Sequence, residues 1–190
     1  MKNWIKTYLR ESLEEMSTKP KPEFGAGVYH KLYRSNQFPD RLYKIGDEDS
    51  VDEWLPTFQD HPKYFPRVYR VFPYKKDPTM KVVEIEMLDT GKAKVELDKL
   101  DRFLISISDQ VDCDGEFINT LNFFEPPCIN KVAMAAQATN QPQILPLLFK
   151  WAKFLSAVAP IVERDLGRPL DLHIGNVAYD KAGNLKMIDI

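Results

Sequence analysis

The period of the apolar positions changes along this chain, and each change marks a different kind of element. Trp4, Ile5, Tyr8, Leu9, Leu13 and Met16 recur at helical spacing, with Lys6, Arg10, Glu14 and Glu15 between them. That spacing predicts an amphipathic first helix, ended by "STKPKP" at 17–22, whose apolar face docks onto the body of the fold. From Pro22 to Lys75 the repeats shorten to strand length: "GVYHKLY", "RLYKIG", a helical piece at "SVDEWLPTF", then "RVYRVFPY". "KVVEIEML" reads as a buried strand. The first 90 residues are thus expected to form a mainly β unit with one short helix.

Beyond "DTGK" the pattern lengthens. "KVELDKLDRFLISISDQV" fits a helix, a strand or one of each, whereas "NKVAMAAQAT" is helix-prone through its alanines. Ile144, Leu147, Leu148, Trp151, Phe154, Leu155, Val158, Ile161, Val162 and Leu166 define the longest helix, stopped by "GRP". Its apolar positions are broad enough to predict burial on most sides. "NVAYD" and "NLKMIDI" read as two short strands joined at "DKAGN", a hairpin. Asp89, Thr90 and Gly91 supply turn residues after Leu88, placing the hinge between two lobes there.

Composition narrows the classes. The chain has 190 residues, 44% hydrophobic and 28% charged, which suits one good core or two small lobes. Lys+Arg 26 against Asp+Glu 28 gives no global field toward nucleic acid or membrane. The first residues lack the pattern of a signal peptide, and no later apolar run is read as long enough to cross a bilayer. Cys113 and Cys128 lack CxxC spacing, so neither a disulfide framework nor a zinc site is predicted. The expectation is a reduced, cytoplasmic protein.

The chemistry concentrates at the end of the chain. Asp171 follows the long helix, Asn176 opens the hairpin, and Asp189 follows "LKMI" on its second strand. A hairpin brings its ends together, so Asn176 and Asp189 are expected to be neighbours. An amide oxygen beside a carboxylate is a hard-oxygen pair suited to Mg²⁺ and the phosphates it carries.

"D-L-H-I-G-N" followed by "M-I-D" resembles the catalytic loop and metal-binding segment of the protein-kinase-like fold. The histidine of "DLH" is similar to small-molecule kinases and to the early serine/threonine protein kinases of short-tailed bacteriophages. The resemblance implies an α+β, two-lobed fold: an N-terminal helix at 1–19, a mainly β lobe at 20–88 and a shortened helical lobe at 89–190. "EFGAGVYHKLYRSNQFPDRLYKIG" resembles a nucleotide-covering hairpin and the strand bearing the phosphate-pairing lysine. Gly25 and Gly27 would then approach the phosphates, Val28 would cover the base, and Lys44 would reach the α and β phosphates. Read as G-x-G-x-x-G, the third glycine position holds His30, a departure from the pattern. "HPKYFPRVYRVF" is similar to the stretch between the fold's helix and its fourth strand. "VVEIEML" looks like the strand leading to the hinge, with Ile85 as gatekeeper and Glu86 to Leu88 offering backbone groups to adenine. Glu53 is the first choice as the lysine's acidic partner, ahead of Glu48 and Asp52.

The resemblance implies ATP and Mg²⁺ as cofactors, Asn176 and Asp189 as metal ligands, and Asp171 as the residue that orients and deprotonates an incoming hydroxyl. His173 is read as a brace for the loop. The implied reaction is phosphoryl transfer to a protein hydroxyl, with a protein substrate or host protein as partner and neither nucleic acid nor membrane. The alternative is a weak or inactive pseudokinase acting as a nucleotide-binding or interaction module, a viral modulator of a host protein. Family members continue past this point with an activation segment and a docking surface. The sequence ending at Ile190 is therefore expected to transfer slowly unless a partner or further residues complete the site.

Overall fold

The computed structural model describes residues 23–26, 30–35, 38–107, 111, 128–170 and 176–188. The expected N-terminal helix lies outside them. The architecture is α+β: an antiparallel sheet in the N-terminal part, helices in the C-terminal part. The chain divides into two compact units, 1–56 with 67–87, and 57–66 with 88–190.

In the first unit, β1 (Glu23–Ala26), β2 (His30–Arg34), β3 (Arg41–Asp47), β4 (Val68–Pro73) and β5 (Met80–Glu86) form one five-stranded antiparallel sheet in the order β1-β2-β3-β5-β4. β3 and β5 are inner strands, and their runs Leu42–Gly46 and Val82–Ile85 are buried on both faces. That explains why both read as mainly apolar runs, each interrupted by one charged residue, Lys44 or Glu84, and not as clean alternations. Directly paired residues share a face. Lys44 pairs with Leu32 and Val83, and Leu42 pairs with Ile85, which sets these residues on one side. The other side carries a cluster of Tyr43, Ile45 and Val82, flanked by Tyr33, Phe72, Tyr74 and Met80.

Between β3 and β4 runs α1 (Glu48–Asp60). It starts where the Asp47 carboxylate accepts the Ser50 amide at 2.8 Å, an N-cap reinforced by Glu48 and Asp49 in the first turn. Val51, Trp54 and Phe58 fall on one stripe and are buried. The helix runs through Pro56, as the helical piece at "SVDEWLPTF" implied.

The second unit holds α2 (Thr90–Ile107), α3 (Cys128–Ala138), a 3₁₀ turn (Pro142–Ile144), α4 (Leu145–Leu166) and the hairpin β6 (Val177–Tyr179) and β7 (Leu185–Met187). The ambiguous stretch after "DTGK" is a helix. Its buried residues, Ala93, Leu97, Leu100, Phe103, Leu104 and Ile107, keep helical spacing. Asp89 begins it, its carboxylate accepting the Gly91 amide at 2.9 Å, so Thr90 and Gly91 belong to a helix and not to a turn. α4 ends on Gly167, whose φ of 64° lets its amide reach the Glu163 carbonyl at 2.9 Å.

Three expectations are corrected here. The stretch Pro142–Leu166 is long and apolar enough to cross a bilayer by length and composition. The interspersed Lys150 and Lys153 hid this. Burial on most sides is not what the helix shows: Leu148, Trp151, Leu155 and Val158 are buried on one face, while Leu147, Ile161 and Leu166 are only partly covered and Phe149 is exposed. Cys128 is disulfide-bonded, where the spacing of the cysteines had predicted a reduced thiol; Cys113 lies outside the described residues.

Candidate functional site

Lys44 is 3% exposed, at the middle of β3. Its ammonium lies 4.6 Å from the centre of the Trp54 ring on α1. Glu53, the acidic residue expected beside it, is on an exposed position of the same helix, one residue from the tryptophan. Gly25 stands on β1 opposite Leu32, where the register with β2 shifts. Gly27 and Val28 lie outside the described residues.

Ile85 is buried and shares the sheet face of Lys44. The Glu86 amide donates to the Arg67 carbonyl at 2.9 Å and the Met87 amide to the Asp40 carbonyl at 2.8 Å. Both amides are therefore engaged within the first unit, and neither can serve a ligand without breaking one of these bonds. Leu88 is buried in the second unit.

On the opposite face of the sheet, Glu84 is wholly buried and accepts from two arginines, Arg41 Nη1 at 3.1 Å and Arg70 Nε at 2.5 Å. The Arg41 guanidinium also lies 4.3 Å from the Phe38 ring and 4.1 Å from the Tyr69 ring. This cluster fixes β3, β4 and β5 against one another where β5 approaches Glu86.

In the second unit, Asn176 is 6% exposed at the head of β6. Its carbonyl accepts the Ile188 amide at 2.7 Å, so the hairpin closes one residue before Asp189. Asp189 itself, with Asp171 and His173, lies outside the described residues. Among the described residues there is no group of three His, Cys, Asp or Glu side chains placed to hold a metal ion.

The hairpin is tied down on both strands. Tyr179 exchanges backbone hydrogen bonds with Asp89, at 2.8 and 2.9 Å. Its hydroxyl donates to Glu96 of α2, and the same carboxylate oxygen accepts from Lys150 at 2.6 Å and from Trp151 Nε1 at 3.0 Å. Burial, the bond to Glu96 and that residue's charge all push the Tyr179 hydroxyl far above its ordinary range. On the other strand the Met187 amide donates to the Tyr64 carbonyl at 2.8 Å, and the buried Lys186 ammonium donates to the carbonyls of Pro62 and Phe65. These carbonyls follow the end of α1 and gain a cationic partner there.

Trp54, Glu84, Glu96, Tyr179 and Lys186 were not singled out by sequence reasoning. The one local signal was a charged residue inside a short apolar run, as in "VVEIE" and "NLKMI". Their partners are far away in sequence, and no local period encodes them.

No protein-family model matches this chain, and a search of curated proteins finds no match.

Proposed function

We propose that the chain is a protein-kinase-like phosphotransferase that uses ATP and Mg²⁺ to phosphorylate a protein hydroxyl. The observation that carries this reading is the burial of Lys44 on an inner strand, on the same sheet face as Ile85. An ammonium in low dielectric attracts phosphate far more strongly than one in water. The order of elements supports it as well: hairpin, lysine strand, helix, two further strands, then a helical part ending in a hairpin headed by Asn176.

In this reading Lys44 steadies the α and β phosphates, while Ile85 and the backbone near Glu86 and Leu88 receive the base. Asn176 contributes an amide oxygen of the hard type that Mg²⁺ selects, with Asp189 as its expected companion. Bound ATP with its ion supplies the phosphoryl group and neutralises charge during transfer. Asp171 orients the acceptor hydroxyl and takes its proton.

A second reading, a nucleotide-binding or protein-interaction module with little transfer activity, is favoured by the Lys44–Trp54 contact. An ammonium held against a ring by electrostatic attraction must give up part of that contact to clamp a phosphate. Phosphate release and protein labelling from γ-labelled ATP separate the two. Transfer that disappears in Asp171→Ala supports the kinase reading, firm nucleotide binding without transfer supports the module, and neither binding nor transfer rejects both.

A further inference from the structure

We propose that Tyr179 and Glu96 are positioning residues, which lock the β6–β7 hairpin so that Asn176 at its head is presented in one orientation; the inference rests on the phosphotransferase reading above. Strands of three residues carry too few ladder bonds to hold a hairpin alone. Their orientation is decided by what they are tied to. Tyr179 sits three positions after Asn176 on the same chain segment and is fixed by its backbone to Asp89 and by its hydroxyl, which donates to Glu96 and accepts from Lys150.

The hydroxyl tie is more than packing demands. Val177 and Ala178 are already fully buried, so β6 needs no charged group to exclude water. Glu96 nevertheless gathers three donors, from Lys150, Trp151 and Tyr179, and so joins α2, α4 and β6 at one carboxylate. The ammonium groups of Lys92 and Lys150 lie 4.4 and 4.9 Å from the centre of the Tyr179 ring, which restrains the ring as well as its hydroxyl. Hydrogen bonds of this kind, made behind a ligand residue, set the aim of its side chain without touching the ion. Removing the single hydroxyl oxygen tests the idea while leaving the ring in place.

The experiment uses the full chain with Tyr179→Phe and Glu96→Gln. ATP binding is measured by calorimetry with and without Mg²⁺, and amide hydrogen exchange is followed over 177–187. Tyr179→Phe is expected to cut the factor by which Mg²⁺ tightens ATP binding about tenfold, to leave metal-free ATP binding within about twofold, and to speed exchange in the hairpin. Glu96→Gln keeps an acceptor for the hydroxyl and should retain most of the Mg²⁺ factor. Equal weakening with and without Mg²⁺, or unchanged exchange in the hairpin, overturns the inference. Absence of any Mg²⁺ factor in the wild-type chain rejects the phosphotransferase reading, and the exchange result then decides alone whether Tyr179 orders the hairpin.

Discussion

The ammonium of Lys44 lies 4.6 Å from the centre of the Trp54 ring, and both residues are almost entirely buried. Holding the charge out of water costs several kcal/mol, and the contacts of the ammonium, this one among them, offset that cost; replacing it with an apolar side chain of similar length removes cost and contacts together. Lys44→Met is therefore expected to change the unfolding free energy by less than about 1.5 kcal/mol and to abolish ATP binding. Urea unfolding and a nucleotide titration on the same preparation check it. A loss above about 3 kcal/mol would make Lys44 a structural residue.

Glu84 and its two arginines predict the opposite balance. The carboxylate is fully buried, while Arg41 and Arg70 keep 25% and 30% of their side chains exposed. Glu84→Ala strands two cations that reach water only in part, and about 3 kcal/mol of stability should go. Glu84→Gln keeps an acceptor and should cost less. Urea midpoints rank the three proteins, and an alanine variant within about 0.5 kcal/mol of wild type would show that the cluster is not structural.

Gly167 and Gly183 adopt φ values of 64° and 85°. A Cβ at either position meets nothing within 4 Å, so substitution tests backbone strain alone. Each change to alanine should cost about 1 kcal/mol in chemical unfolding. Neutral substitutions would mean that the α4 cap and the hairpin turn relax to another conformation.

Much of the scaffold was legible because it rests on local pattern. β3, β5, α4 and the terminal hairpin announced themselves as "LYKI", "VVEI", the Leu147–Leu166 run and "NVAYD…NLKMI". α2 was ambiguous because Phe103–Ile107, apolar except for Ser106, fits either period, and burial of Ala93, Leu97 and Leu100 at helical spacing resolves it as helix. The lysine strand and the hairpin headed by Asn176 were readable for the same local reason. Trp54 against Lys44, Glu84 between two arginines and Tyr179 on Glu96 were not, since each joins positions 10 to 83 residues apart. The disulfide at Cys128 has no local signature either.

Glu96 makes the fold sensitive to acid. Burial alone would push its carboxyl up, but hydrogen bonds from Lys150, Tyr179 and Trp151 outweigh this and hold it below its ordinary 4.5. A carboxyl depressed by folding contributes stability that is fully present above its unfolded value and is lost as pH falls through the folded one. Wild type should therefore exceed Glu96→Gln in stability at neutral pH, and the gap should close as pH falls below 4.5. A gap independent of pH would show that the ionised carboxylate is not what joins these elements.

The most direct test of the phosphotransferase account is calorimetric titration of the wild-type chain with ATP, once with Mg²⁺ and once with a chelator. The account predicts saturable binding at one site, tightened by Mg²⁺ and lost in Lys44→Met. No binding at millimolar ATP in either buffer, or binding that Lys44→Met leaves unchanged, would contradict it.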